Sequence, residues 1–361
     1  MRKHYLDNLR WFAVLAVVVY HVFFMFNAIG TLSFKTFSEV QYQDGIIYFL
    51  YPWIMVILFL IAGMSSRYYL EKHTIREFIA SRTRKLLVPS TIGILLFGWI
   101  QGYISMAESH AFDNDQGLMQ LPAIIRFLIM DVSGTSILWF SQLLWLISLI
   151  CALVAKFEKG KLYSFTSKAG IIAAALLVIP VFASAQILNP PILSVYRFGI
   201  YPFVFFLGYF VFAHDEVIDR IAKFKIPLII IAAALGVTYL VLHFGDDAME
   251  MPVVASIPAV AYCWAACLAL LGSFRSWCDK ETTFTSYMTK RSFGIYTFHY
   301  VCMSAVALLL TRTDACPAFV CYLLCFVTGL AGAILLTEIV TRIPFVRLCL
   351  LGIKKTRKKE A

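Results

Sequence analysis

A hydrocarbon bilayer offers a backbone no hydrogen-bond partners, so a chain that lives in one can only be a set of helices or a closed barrel. This sequence carries ten apolar runs beginning near residues 11, 44, 86, 136, 169, 199, 226, 252, 292 and 317. Each approaches the length of about 20 residues that a helix needs to span the membrane. Barrel strands would alternate in polarity, and these runs do not. The composition, 61% apolar and 14% charged, excludes an ordinary soluble domain. The expected fold is all-α: one polytopic membrane domain over residues 1–361, a bundle of about ten transmembrane helices with no appended soluble domain. The first run has a basic start but no small-residue cleavage site, and reads as a retained span rather than a leader.

Charge in the loops sets the expected orientation, because Lys and Arg are retained on the cytoplasmic side. With a cytoplasmic N-terminus and ten spans, all of the 31 Lys and Arg residues face the cytoplasm except Lys35, Arg126, Arg197 and Arg312. Acidic residues gather in the loops assigned to the other side, Asp113 and Asp115 in one, Asp246, Asp247 and Glu250 in another. Both termini are expected in the cytoplasm. The net charge of +10 is spread over alternate loops, which argues against nucleic acid as a partner. The tail KKTRKK at 354–359 reads as a topogenic stop, with anionic lipid as a second use. Nine cysteines lie mostly inside spans without metal-ligand spacing, so no metal is expected.

Ionisable residues within spans are costly and point to function. Arg10 and His21 are eleven residues apart in LDNLRWFAVLAVVVYHVFF, which places both on one helical face, roughly 16 Å apart along the axis. A second imidazole, His299, lies in KRSFGIYTFHYV, where Ser292, Tyr296 and His299 follow the spacing of a single helical stripe. Arg82, Arg84 and Lys85 precede Pro89 at the entry to the third run. Such a cluster reads either as topogenic charge or as a site for phosphate groups. Arg197, in SVYRFGIYPF, reads either as an interfacial anchor or as a contact for an anionic or sugar substrate. Trp139, Tyr196 and Tyr201 read either as interfacial aromatics or as stacking platforms for sugar rings.

Taken in order, these segments resemble the membrane-bound acyltransferase 3 family, which includes bacterial polysaccharide O-acetylases and glucan succinyltransferases. Arg10 and His21 match its first-span pair, IAGMSS at 61–66 its second-span segment, and RTRKLLVP its basic element before Leu-Leu-x-Pro. Leu138, Trp139 and Phe140 match its LWF element, Tyr296 and His299 its YxxH element, and RIPFVR its ending. Lys85, Ala62 and Ile137 stand where the family often has Arg, Ser and His.

The resemblance implies an O-acyltransferase of the bacterial inner membrane. The donor would be a cytoplasmic acyl-CoA, acetyl-CoA or succinyl-CoA, and the acceptor a hydroxyl of a cell-envelope glycan or lipid-linked sugar. Within that reading Arg10, Arg82, Arg84 and Lys85 are expected to hold the donor, and His21 to act as general base. Tyr296 and His299 would orient the acceptor or the developing oxyanion, while Trp139 and Arg197 would touch the acceptor. The rival reading is a proton-coupled transporter using His21 and His299, against which the absence of internal repeats counts.

Overall fold

The computed structural model describes residues 3–29, 33–109, 111, 120–190, 195–312 and 316–354. Asp113, Asp115 and all of the basic tail except Lys354 lie outside these residues. Among the described residues every regular element is helical, and no strand occurs. In chain order they are α1 (His4–Phe24), α2 (Tyr42–Leu70), α3 (Ile75–Glu108), α4 (Ala123–Ser133), α5 (Ser136–Phe157) and α6 (Lys161–Thr166). There follow α7 (Ile171–Ala185), α8 (Ile200–Phe212), α9 (Asp215–Lys223), α10 (Lys225–His243) and α11 (Met251–Val254). The series closes with α12 (Ile257–Trp277), α13 (Thr283–Thr311), α14 (Ala318–Arg342) and α15 (Pro344–Leu351).

Eight of these helices are long and apolar enough to cross a membrane. A ninth crossing is made if α8 and α9, bent by 95° where they meet, count as one span. The cause of the bend is in the sequence: the apolar run stops at His214, and DEVIDRIAK continues as an amphipathic helix. It buries Val217, Ile218, Ile221 and Ala222 and turns its charges away. The run near residue 169 becomes α7, a helix of the 10–17-residue class, too short by itself for a bilayer. The protein is thus an all-α polytopic membrane protein, with eight or nine crossings among the described residues.

The chain divides into two compact units, Met1–Phe78 with Ile147–Ser292 and Ile79–Leu146 with Phe293–Ala361. Each is discontinuous in sequence, so neither can be excised as one stretch.

In the first unit α2 is the central helix and its glycine is the reason. A Cβ on Gly63 would lie 1.9 Å from the Phe205 carbonyl oxygen, and one on Gly208 would lie 2.1 Å from that of Leu60. Two hydrogens therefore set the approach of α2 to α8, the small-residue packing on which membrane helices depend. The connection from α1 to α2 is pinned by Asp44, which is 1% exposed. Its carboxylate accepts the Ala28 N–H at 2.8 Å and the Gln41 amide at 3.2 and 3.3 Å. The same Gln41 amide also donates to the Phe26 carbonyl at 2.6 Å. Asp44→Ala is expected to strip this knot of its acceptor and lower stability by about 1–3 kcal/mol, measured as a fall in the melting midpoint of the detergent-purified protein.

In the second unit α3 departs from the sequence expectation. Arg82, Arg84 and Lys85 do not precede the helix but lie within it, because α3 passes Pro89 through two wide turns, Thr83–Leu87 and Pro89–Gly93. Proline lacks an N–H and crowds the preceding turn, and wide turns are one way a helix absorbs it. The loosened groups are met by α5: Gln142 donates to the Ser90 carbonyl at 3.0 Å and Trp145 to Thr83 Oγ1 at 3.1 Å.

Candidate active site

An open cavity of about 550 Å³ lies in the first unit, where the start of α1, the end of α2 and the α8–α9 bend converge. The start of α1 is anchored by its polar residues. Asn8 donates to the carbonyls of Cys278 and Lys280 at 2.6 and 2.9 Å, and the Tyr5 N–H to Asp279 at 3.0 Å. That leaves the opposite side of the first turns, with Lys3, Asp7 and Arg10, facing the cavity. Arg10 donates from Nη1 to Asp7 at 3.1 Å and from Nη2 to Ser65 Oγ at 2.9 Å. Lys3 pairs with Asp215, and the Tyr68 hydroxyl donates to the Ala213 carbonyl at 2.9 Å.

The lining carries Lys3, Arg10 and Lys72 against Asp7, Glu71, Asp215 and Glu216. Its charges nearly balance, so it is a polar chamber rather than a bare cradle for a polyanion. On one wall the His214 ring stacks on Tyr163 with centroids 3.8 Å apart and donates from Nε2 to the Tyr163 carbonyl at 2.8 Å. The Arg67 guanidinium covers the Tyr163 ring at 3.6 Å and pairs with Glu71 at 3.2 Å. Burial, with Glu71 and other charges adding smaller effects, raises the Tyr163 phenol above its ordinary range.

His21 belongs to the same helix as Arg10, as the spacing requires, and lies toward the far end of it. Because α1 begins at His4 and ends at Phe24, His21 occupies the last turn, roughly 25 Å along the axis from the first residue. Its ring is half-buried, with Tyr20 at 5.0 Å and Phe24 at 6.3 Å between centroids. It is not among the residues lining the Arg10 cavity.

At that end of the unit Tyr20 stacks on Tyr51 at 5.6 Å, and Tyr51 lies within electrostatic reach of Arg197. Arg197 is 3% exposed, so it is not the surface anchor that its sequence position allowed. Its guanidinium stands over the Tyr201 ring at 5.9 Å.

Apart from Tyr196 and Ser292, the remaining sequence candidates belong to the second unit. His299 is fully buried, and its Nδ1 lies 2.8 Å from the Tyr296 carbonyl and 3.1 Å from that of Ile295. An N–H there satisfies its own helix and leaves Nε2 as the acceptor. Tyr296 is 4% exposed and its hydroxyl donates to the Ile137 carbonyl. Ile137 stands where the family often has histidine, so the backbone of that position is used here while its side chain is apolar. Ser292, Tyr296 and His299 do form one buried stripe on α13. Trp139 is half-buried at the start of α5, edge-on to Phe140 at 6.4 Å. Arg82 and Arg84 are half-buried and Lys85 is exposed on α3.

The structure thus brings Arg10 together with Asp7, Ser65, Tyr68 and His214, none of which sequence reasoning singled out. Ser65 was within reach of it, being part of IAGMSS. Asp7 stands three residues before Arg10, the spacing of a helical ion pair. His214 marks the end of an apolar run and gave no other signal. Among the described residues no three His, Cys, Asp or Glu side chains gather as a metal site would need.

Neither the curated proteins nor the solved structures contain a significant match to this chain. The family comparison is decisive by its extent, since the model described as an acyltransferase domain matches residues 3–338, from the start of the first crossing into the last. The chain belongs to the acyltransferase 3 family and is an acyltransferase of the membrane-embedded type.

Proposed function

We propose that the protein moves an acyl group, acetyl or succinyl, from a cytoplasmic acyl-CoA to a hydroxyl of a cell-envelope glycan or lipid-linked sugar. The observation that carries this reading is the family match over 3–338 combined with an open chamber that holds Arg10. Both termini, and with them that chamber, are assigned to the cytoplasmic face of a bacterial inner membrane on the Lys and Arg bias of the loops.

In this reading the near-balanced polar lining suits the amide-bearing pantetheine arm of the donor. Arg10, presented by Asp7 and Ser65, hydrogen-bonds the arm at its entry. Arg82, Arg84 and Lys85 are the cations assigned to the nucleotide phosphates, with arginine supplying a planar fork. His21, on the same face of α1 as Arg10, accepts the proton of the acceptor hydroxyl as its oxygen attacks the thioester carbonyl. The carbon–sulfur bond then breaks and the thiolate takes up a proton. Trp139 is assigned to the acceptor, and Tyr296 and His299 to orienting it. Tyr296 acts through its ring and through its grip on the 137 carbonyl, since its hydroxyl hydrogen is already engaged.

The test is thiol release from acetyl-CoA and succinyl-CoA by the purified full-length protein with a hydroxyl-bearing glycan acceptor. Arg10→Ala is expected to raise the KM for the donor by roughly tenfold to a hundredfold, the loss of one charge-assisted contact, with kcat changed less. A protein that neither binds nor consumes any acyl-CoA would overturn the donor assignment.

A further inference from the structure

The first unit contains a charged group that the transfer scheme uses only loosely. Arg197 is 3% exposed, and among the described residues its Nε and Nη2 have no hydrogen-bond partner. A buried guanidinium with idle donors is costly, so the fold does not hold it there for stability alone. The acidic residues of this end do not satisfy it. Asp246 pairs through Oδ2 with His243 at 3.1 Å, and Asp247 Oδ1 accepts the Met249 N–H at 2.8 Å. Burial raises the Asp247 carboxyl above its usual range, which further weakens it as a counter-ion.

What surrounds Arg197 is a set of phenols. Tyr201 lies under its guanidinium, and Tyr51 and Tyr239 are within its electrostatic reach. The Tyr239 hydroxyl is buried and also has no partner among the described residues. The arginine is held rigidly: a Cβ on Gly199, two residues on, would lie 2.2 Å from the Ser184 carbonyl oxygen and 2.4 Å from that of Ile187. The segment therefore rests directly on the end of α7. An arginine fork beside phenol O–H groups, with no carboxylate bonded to it among the described residues, is a donor array matched to an oxyanion.

We infer that Arg197, with the Tyr239 hydroxyl, forms a binding site for an oxyanion, a phosphate or carboxylate. The inference deepens the proposed function and rests on it in one respect: the anion is then a substituent of the acceptor. The ring contacts from His21 through Tyr20 to Tyr51, and the electrostatic reach from Tyr51 to Arg197, bring such a substituent toward the end of α1 that carries the proposed base. A neutral glycan would leave Arg197 unsatisfied; a sugar acid or a sugar phosphate satisfies it. A phospholipid headgroup offers the same chemistry from the membrane.

The test reads binding, so it does not depend on transfer. Full-length protein in an uncharged detergent is titrated with inorganic phosphate and with glucuronate while its melting midpoint is followed. A second arm places the protein in phosphatidylglycerol nanodiscs and counts retained lipid by native mass spectrometry. Wild-type protein is expected to show a saturable upward shift with at least one soluble anion, or a retained phosphatidylglycerol. Arg197→Gln should abolish that signal, and Arg197→Lys should weaken it at least about tenfold, because it keeps the charge but loses the fork. Should Arg197→Gln fail to fold, Tyr239→Phe provides the second reading, with an expected weakening of about threefold to tenfold. A signal from soluble anions identifies the acceptor as the source, and one from lipid alone keeps the site but assigns it to the headgroup. No shift and no retained lipid in wild-type protein, or an undiminished response in the variants, overturns the site. Acyl transfer measured in parallel separates that outcome from failure of the transferase reading.

Discussion

Gly208→Val is expected to abolish the folded protein. Size-exclusion chromatography in detergent should show loss of the monodisperse peak, and no cooperative melting transition should remain. At position 208 a side chain would begin 2.1 Å from the Leu60 carbonyl oxygen, and Gly63 presents the reciprocal 1.9 Å approach to Phe205. These are backbone atoms, so no rotamer change relieves the overlap, and the helices must separate along their whole crossing. Overpacking in a core usually costs about 1–3 kcal/mol when side chains can yield; here they cannot, and α2 is also the helix that carries Ser65 and Tyr68 to the Arg10 cavity. Gly208→Ala should be milder and still lower the melting midpoint, with Arg10-dependent donor binding falling beside it. Gly170→Ala is the control, since a Cβ there meets nothing within 4 Å, and it should leave both readouts unchanged. A folded, monodisperse Gly208→Val protein would show that the α2–α8 contact does not organise the unit.

The same glycine shows what kind of information the sequence held. Gly63 sits in IAGMSS, a segment readable as a family element, yet the reason for a glycine there is the partner helix 145 residues later, which no local pattern reveals. Apolar run length located the crossings well, because the bilayer constraint acts on each segment separately. Two of the ten runs give something other than one straight crossing helix, the short α7 and the bent α8–α9 pair. Arg10 and His21 could be placed on one face from spacing alone, since a helix period is local. The depth of His21 could not, because it depends on where α1 begins. The burial of Arg197 was likewise invisible: an interfacial arginine and a buried one read alike in sequence, and only the packing of Gly199 against α7 separates them. Pro89 misled for a related reason, as a proline that commonly opens a helix is here absorbed by wide turns inside one.

His21→Ala is expected to lower kcat for acyl transfer by at least about a hundredfold, the low end of what a positioned general base contributes, with the donor KM and the melting midpoint nearly unchanged. His21 shares a face of α1 with Arg10 and lies in the last turn of that helix, its ring half-buried beside Tyr20 and Phe24. His21→Gln retains a polar side chain but no base and should be as slow as the alanine variant, which distinguishes proton transfer from simple polarity. Added imidazole is expected to restore part of the His21→Ala rate and none of the Arg10→Ala deficit, because only the first lacks a proton acceptor. If His21→Ala keeps more than half of its activity, the base lies elsewhere, while the membership of the chain among acyltransferases stands regardless. The next residue to test would then be His299, whose Nδ1 faces the carbonyls of Ile295 and Tyr296 on its own helix.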